Sequence, residues 1–271
     1  MFKKIYFISL FAVIFSACTK NSDLNITADR AVFQGYLYAD HPIDLLVTKE
    51  ISLSDSTATA PTLDNLNISV TDSIEKKTYA LTPTGNGHYV STFSVVTGKT
   101  YLLSCVYNGA TLTASTTIPT KPVNYKSSVT TIAVPVIGNF NPSAPPLFPS
   151  PVQLTWNNDT KDYYLVVVQN IETSPTLINP DGNGFERTNR FFRLTPTQAN
   201  TQQIRSQQFT YFGKHNIILY HVDADYASLY TSNGTNSTNL MAPFTNITNG
   251  GLGIFTGINS DTITPFTVTR Q

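Results

Sequence analysis

The sequence predicts an all-β protein: two immunoglobulin-like β-sandwich domains, one short helix in the second, and a lipoprotein signal peptide in front. Three observations carry that expectation. Charged residues are only 13% of the 271, and the helix formers Glu and Lys are scarce. In their place stand 39 Thr, 22 Ser and 23 Asn, with 14 Tyr, 16 Phe and 16 Pro, which is the composition of strands and turns. Apolar and polar residues alternate in short runs punctuated by turn signals, at the intervals of a sandwich. The same arithmetic excludes a helical bundle and a coiled coil. With 17 basic and 17 acidic side chains, the chain also lacks the basic stripe expected of a nucleic-acid binder.

Residues 1–17 read as a signal peptide. Lys3 and Lys4 form a positive start, and Ile5 to Phe15 is an apolar run too short to cross a bilayer, which takes about 20 residues. The small pair Ser16-Ala17 then leads into Cys18, the pattern of a bacterial lipobox, with Phe15 where leucine is more usual. Cys18 is the expected lipidation site, and an ordinary secretory signal is the alternative. No second hydrophobic span follows, so the chain is expected to be anchored to a membrane rather than threaded through it. Residues 18–29 are polar and aperiodic, a lipidated tether. Loss of Lys3 and Lys4 leaves 15 basic (17 less two) against 17 acidic residues, a slightly acidic exported protein. Cys105, in a strand-like run, reads as a small buried hydrophobe rather than a disulfide partner or a nucleophile.

The N-terminal sandwich is expected over residues 30–120. Its strands are Ala31 to Tyr38, Ile43 to Ile51, Leu66 to Val70, Lys77 to Leu81, His88 to Val95, Tyr101 to Tyr107 and Ala110 to Ile118. Pro83-Thr84-Gly85-Asn86-Gly87 is expected to turn the fourth strand into the fifth, and Asn108-Gly109 is the strongest hairpin signal. Residues 121–150 are rich in proline, including Pro142, Pro145 and Pro146, and read as a linker with one possible strand at Val129 to Val136.

The C-terminal sandwich, 151–271, opens with the alternating run Val152 to Trp156 and continues with Tyr163 to Gln169, apolar on both faces. Phe191 to Leu194, Gln208 to Phe212 and Asn216 to Val222 add strands. Asp223 to Thr231 changes to helical period, with Asp223 and Asp225 where caps and first-turn acids belong. Leu252 to Thr256 and Thr264 to Thr269 are expected to finish the sheet.

Several motifs together resemble the Bacteroidetes lipoprotein family known as domain of unknown function 4249. They are the lipobox at Cys18, Phe33-Gln34-Gly35-Tyr36-Leu37, Gly87-His88-Tyr89, Gly98-Lys99-Thr100-Tyr101, Trp156-Asn157-Asn158, Asp225-Tyr226, and the glycine-phenylalanine stretch Asn246 to Gly257. The first domain also resembles the carboxypeptidase regulatory-like fold, where a Gly-x-Tyr and a Gly-x-Thr-Tyr strand form one hairpin. The second is similar to fibronectin type III. The family resemblance implies an outer-membrane lipoprotein acting beside a TonB-dependent receptor that imports glycans or peptides. It carries over no catalytic residue, cofactor or metal ligand.

Chemistry-bearing motifs weigh toward the structural side. His221-Val222-Asp223-Ala224-Asp225 would put an imidazole and two carboxylates on one face of a strand, but the helix start at Asp225 breaks that geometry. Asp181-Gly182-Asn183-Gly184 opens like a calcium loop and lacks the later ligands. Gly250-Gly251-Leu252-Gly253 lacks the sequel of a phosphate cradle, so a bulge or close strand contact is expected. His41, His88, His215 and His221 have no context for a general base. The acids Glu50, Glu75, Glu172 and Glu186 form no glycosidase pair. Asp55-Ser56-Thr57, Asp72-Ser73-Ile74 and Asp261-Thr262-Ile263 match a Bacteroidetes O-glycosylation pattern. Phe209, Tyr211, Phe212, Tyr226 and Tyr230 are the candidate binding residues, able to offer flat faces to a ligand or to pack a core. The expectation is a non-catalytic binding accessory, with a structural envelope lipoprotein as the alternative and an enzyme a third.

Overall fold

The computed structural model describes residues 29–51, 59–136, 147–179, 189–232 and 244–271. The signal peptide, Cys18, most of the tether, Asp55-Ser56-Thr57, the proline cluster at 142–146, Asp181-Gly182-Asn183-Gly184 and Glu186 lie outside the described residues.

The protein is all-β with one short α-helix. In the first half the strands are β1 (Ala31–Tyr38), β2 (Pro42–Lys49), β3 (Ile68–Asp72), β4 (Lys77–Ala80), β5 (Thr82–Gly85), β6 (His88–Ser94), β7 (Thr100–Tyr107) and β8 (Ala110–Thr117). Then come β9 (Lys126–Ser127), β10 (Thr131–Val134), β11 (Val152–Thr155), β12 (Tyr163–Asn170), β13 (Phe191–Arg193), β14 (Thr201–Ile204), β15 (Gly213–Val222), α1 (Ala224–Ser232) and β16 (Leu252–Arg270). Asn108-Gly109, both at positive φ, close the β7–β8 hairpin as the sequence suggests.

One nine-stranded sheet, ordered β13-β12-β15-β16-β1-β2-β6-β5 with β10 also on β16, runs through both halves. A four-stranded sheet, β4-β3-β7-β8, faces it in the first half, and a three-stranded sheet, β14-β11-β9, faces it in the second. The first core packs Phe33, Leu45, Tyr89, Tyr101, Leu103 and Phe255 between the layers. The second packs Val152, Trp156, Val166, Ile217 and Phe266. The apolar sides of alternating strands thus close two sandwiches that share one layer.

The shared layer depends on β16. Leu252 to Thr256 and Thr264 to Thr269, expected as separate strands, belong to one strand of 19 residues. Its first part runs parallel to β1, Val32 opposite Leu252 through Tyr38 opposite Ile258. Its later part runs antiparallel to β15, from Val222 opposite Ile258 to Gly213 opposite Val268. The polar stretch Asn259-Ser260-Asp261 looks like a turn in sequence, yet it is paired with His221, Tyr220 and Leu219. The Asn259 side chain donates to the carbonyl of Pro119 at 2.9 Å and so holds that stretch straight.

Other expectations are corrected. Lys77 to Leu81 and His88 to Val95 do not form a hairpin: β4 pairs with β3, and the chain changes sheets at the buried Leu81. Thr82–Gly85 pairs with β6 instead, with Pro83 at the sheet edge where a missing N–H is tolerated. The Gly-x-Tyr and Gly-x-Thr-Tyr strands are likewise not hairpin partners, since β6 and β7 lie in opposite sheets and send Tyr89 and Tyr101 into one core. Gln208 to Phe212 is not a strand. Ser206–Gln208 makes a turn of 3-10 helix, and Tyr211 pairs with Leu177 in an isolated bridge. The polar run β14 takes the strand position beside β11 because its Ile204 faces inward. Within 121–150, Tyr125, Ile132 and Val134 are buried in the second core, so part of the expected linker is wall.

Candidate functional site

On a sandwich layer the face turned away from the core is usually polar. Here, where the two halves meet, it is not. On β1, Phe33 and Leu37 point into the first core while Tyr36 and Tyr38 point the other way. On β12, Tyr164, Val166 and Val168 enter the second core, leaving Leu165 and Val167 outside. On β15, Tyr220 and Val222 share that outer face. Ile258, from the crossing point of β16, sits among them, and Phe191 and Arg193 of β13 form one rim. Tyr226 of α1 forms the other. The result is a groove of about 300 Å³, floored by aliphatic side chains and walled by aromatic rings. Leu165, Val222 and Ile258 are each only 2% exposed, whereas Tyr38 and Phe191 are each 44% exposed.

The rings brace one another. Tyr36 meets Tyr226 edge-on at 6.0 Å between centroids, and Tyr38 meets Tyr220 at 6.5 Å. Burial pushes the phenol pKa values of Tyr36, Tyr38, Tyr220 and Tyr226 upward, keeping their hydroxyls as donors near neutrality. Among the described residues, Arg193 is the single charged residue of the lining. Its guanidinium lies 5.3 Å from the centre of the Phe191 ring. The Tyr230 hydroxyl stands beside it and raises its pKa, although that hydroxyl is buried and completes no hydrogen bond of regular geometry. Among the described residues no carboxylate pairs with Arg193. A smaller hollow of about 140 Å³ lies beside α1, lined in part by Tyr163, Pro196 and Tyr230.

The helix wall is held by its N-terminus. Asp223 Oδ1 accepts the Tyr226 N–H at 2.8 Å, an N-cap, and Oδ2 accepts from the Thr116 hydroxyl at 3.2 Å. Burial raises the Asp223 pKa against the lowering effect of those bonds. Asp225 accepts from the Asn246 side chain at 2.8 Å, and Asn246 also exchanges bonds with the backbone of Phe255. The wall is therefore tied to both β8 and β16.

The five aromatic residues singled out from sequence separate. Tyr226 lines the groove and Tyr230 flanks it. Phe209 is buried in the second core, stacked on Phe266 at 5.8 Å, and Tyr211 is buried as well. Phe212 packs against that core, with the Arg270 guanidinium 5.7 Å from its ring centre. They fall there because the segment after the 3-10 turn folds under the sheet. Tyr36, Tyr38, Phe191, Arg193 and Tyr220 were not singled out. Their signal was present in strands aromatic or apolar on both faces, which an antiparallel sandwich exposed on one side does not need.

The other motifs that fall on described residues make the following contacts. His221 stacks on Tyr164 at 4.6 Å, its Nδ1 2.7 Å from the Thr120 carbonyl, away from the cap at Asp223. Among the described residues no group of His, Cys, Asp and Glu is placed to hold a metal. His88 meets Asp44, and Glu50 meets Arg30, on the surface. Asp72 ends β3, opposite Lys77. Burial opposes its charge, but the Lys99 ammonium and the N–H groups of Glu75 and Ile74 outweigh that and lower its pKa. Burial pushes the Cys105 thiol up to about 11, the opposite of an activated nucleophile. Gly253, at φ +98°, lies against the Phe33 backbone, the close strand contact its sequence suggested. No helix among the described residues is long and apolar enough to cross a membrane. No protein-family model and no curated protein matches this chain.

Proposed function

We propose that the protein is a bacterial outer-membrane lipoprotein of the domain of unknown function 4249 type, held by acyl chains on Cys18. Its role in this reading is non-catalytic: it binds a ligand or partner, a glycan or peptide, beside a TonB-dependent transporter. The observation that carries the reading is the aromatic groove, a concave surface that combines aromatic walls with convergent phenol hydroxyls and a guanidinium, as ligand sites often do. Its position supports the reading too. The tether joins the fold at Asp29, which pairs with Lys49 at 2.8 Å. Tyr38 lies at the far end of β1, roughly 23 Å on at about 3.3 Å per residue, so this wall of the groove is remote from the anchored end.

The test is capture of the tagged full chain from native membranes in mild detergent, beside a Cys18→Ser variant. The expected result is an outer-membrane receptor recovered with the wild type, and the variant released from the membrane. Reproducible recovery of no receptor, with general detergent sensitivity in a strain lacking the protein, would instead favour a structural envelope role.

A further inference from the structure

We propose that the groove takes the C-terminal residue of an apolar peptide, its carboxylate on Arg193 and its side chain on the aliphatic floor. This rests on the binding role proposed above and names the ligand class.

Charge is the first argument. Among the described residues Arg193 is the lone cation of the lining, no acid lines the groove, and no carboxylate neutralises the guanidinium. The Phe191 ring, 5.3 Å from the guanidinium, gives it an aromatic platform. A guanidinium held this way presents a planar fork matched to a carboxylate.

The floor is the second argument, and it chooses between a peptide and a sugar. Val167, half-buried, is the aliphatic side chain that the groove exposes, above the buried Leu165, Val222 and Ile258, and none of the four offers a hydrogen-bond partner. A sugar carries hydroxyls around its ring, and each one laid on that floor would lose water without replacement, at a cost of about 1–3 kcal/mol. A branched or aromatic side chain meets no such penalty. Polar capacity sits at the rim, where the protonated hydroxyls of Tyr36, Tyr38 and Tyr226 are placed to serve a peptide backbone. The volume, about 300 Å³, suits one terminal residue better than an oligosaccharide.

The test is calorimetric titration of the detergent-solubilised full chain with the tripeptide Ala-Val-Phe, the same peptide as its C-terminal amide, and maltotriose. The free acid is expected to bind at least about tenfold more tightly than the amide, the size of one charge-assisted hydrogen bond. Arg193→Gln should bring that ratio close to one, and Arg193→Lys should keep part of it. Thermal melts of both variants establish that they fold. Equal binding of acid and amide, an unchanged ratio in Arg193→Gln, or no binding of either peptide overturns the proposal. Maltotriose binding more tightly than the acid also overturns it while leaving the binding role intact. That role fails separately, through the membrane capture.

Discussion

His215 shows how one side chain sets a pH response. It is buried, with Nδ1 at 3.0 Å from the Gly213 carbonyl and Nε2 at 3.3 Å from the Asn170 amide nitrogen. The Asn170 carbonyl oxygen is occupied by the Glu172 N–H and the Arg190 guanidinium, so its amide nitrogen is the end turned to the ring. The imidazole must then donate through Nδ1 and accept through Nε2, which is the neutral form. Burial lowers its pKa accordingly. The unfolded chain takes up a proton at the ordinary value near 6.5, before the folded protein does. Stability from His215 is therefore present above that pH and lost as pH falls below it. Urea midpoints at pH 7.5 and 5.0 should fall for the wild type, and fall less for His215→Gln. Equal drops would refute the assignment. None of this was legible in sequence, because it depends on a bulge between His215 and Ile217 and on Asn170 across the sheet.

At the scale of the element, β16 decides the architecture. Gly253 lies at φ +98°, and a Cβ there would come 1.9 Å from the Phe33 carbonyl oxygen. Both the left-handed backbone and the contact require glycine. Gly98, also at positive φ, has open space around it. Gly253→Ala should therefore destabilise by more than about 2 kcal/mol, with Gly98→Ala costing about 1 kcal/mol, in matched thermal melts. Similar losses would mean that the parallel β1–β16 contact matters little. Sequence reading found most strands because alternation and turn signals are local. It split β16 because Asn259, Ser260 and Asp261 carry turn chemistry that pairing with β15 overrides. It missed β14, whose Thr201, Gln202 and Gln203 give no apolar pattern, and it misjudged which neighbours β4 and β6 choose, since pairing is a property of the whole sheet.

For the whole molecule, the consequence of that strand is a common layer. Ile247 and Phe255 complete the first core, and Phe266 and Val268 complete the second, so one C-terminal segment serves both. The groove is built where the halves share that layer: β1 brings Tyr36 and Tyr38, β12, β15 and β16 bring the floor, β13 brings Arg193, and α1 closes the side. One of its aromatic residues, Tyr226, and the flanking Tyr230 stand out in sequence by helical spacing. The rest do not, because strands far apart in the chain supply them. The central claim is that this junction is where the protein binds. Hydrogen–deuterium exchange of the full chain with and without Ala-Val-Phe tests it most directly. The account predicts slowed exchange at β13, at the ends of β1 and β15 near Tyr38 and Tyr220, and in the first turn of α1, with the β4-β3-β7-β8 sheet unchanged. Protection confined to that four-stranded sheet, or none at the junction at saturating peptide, would contradict it.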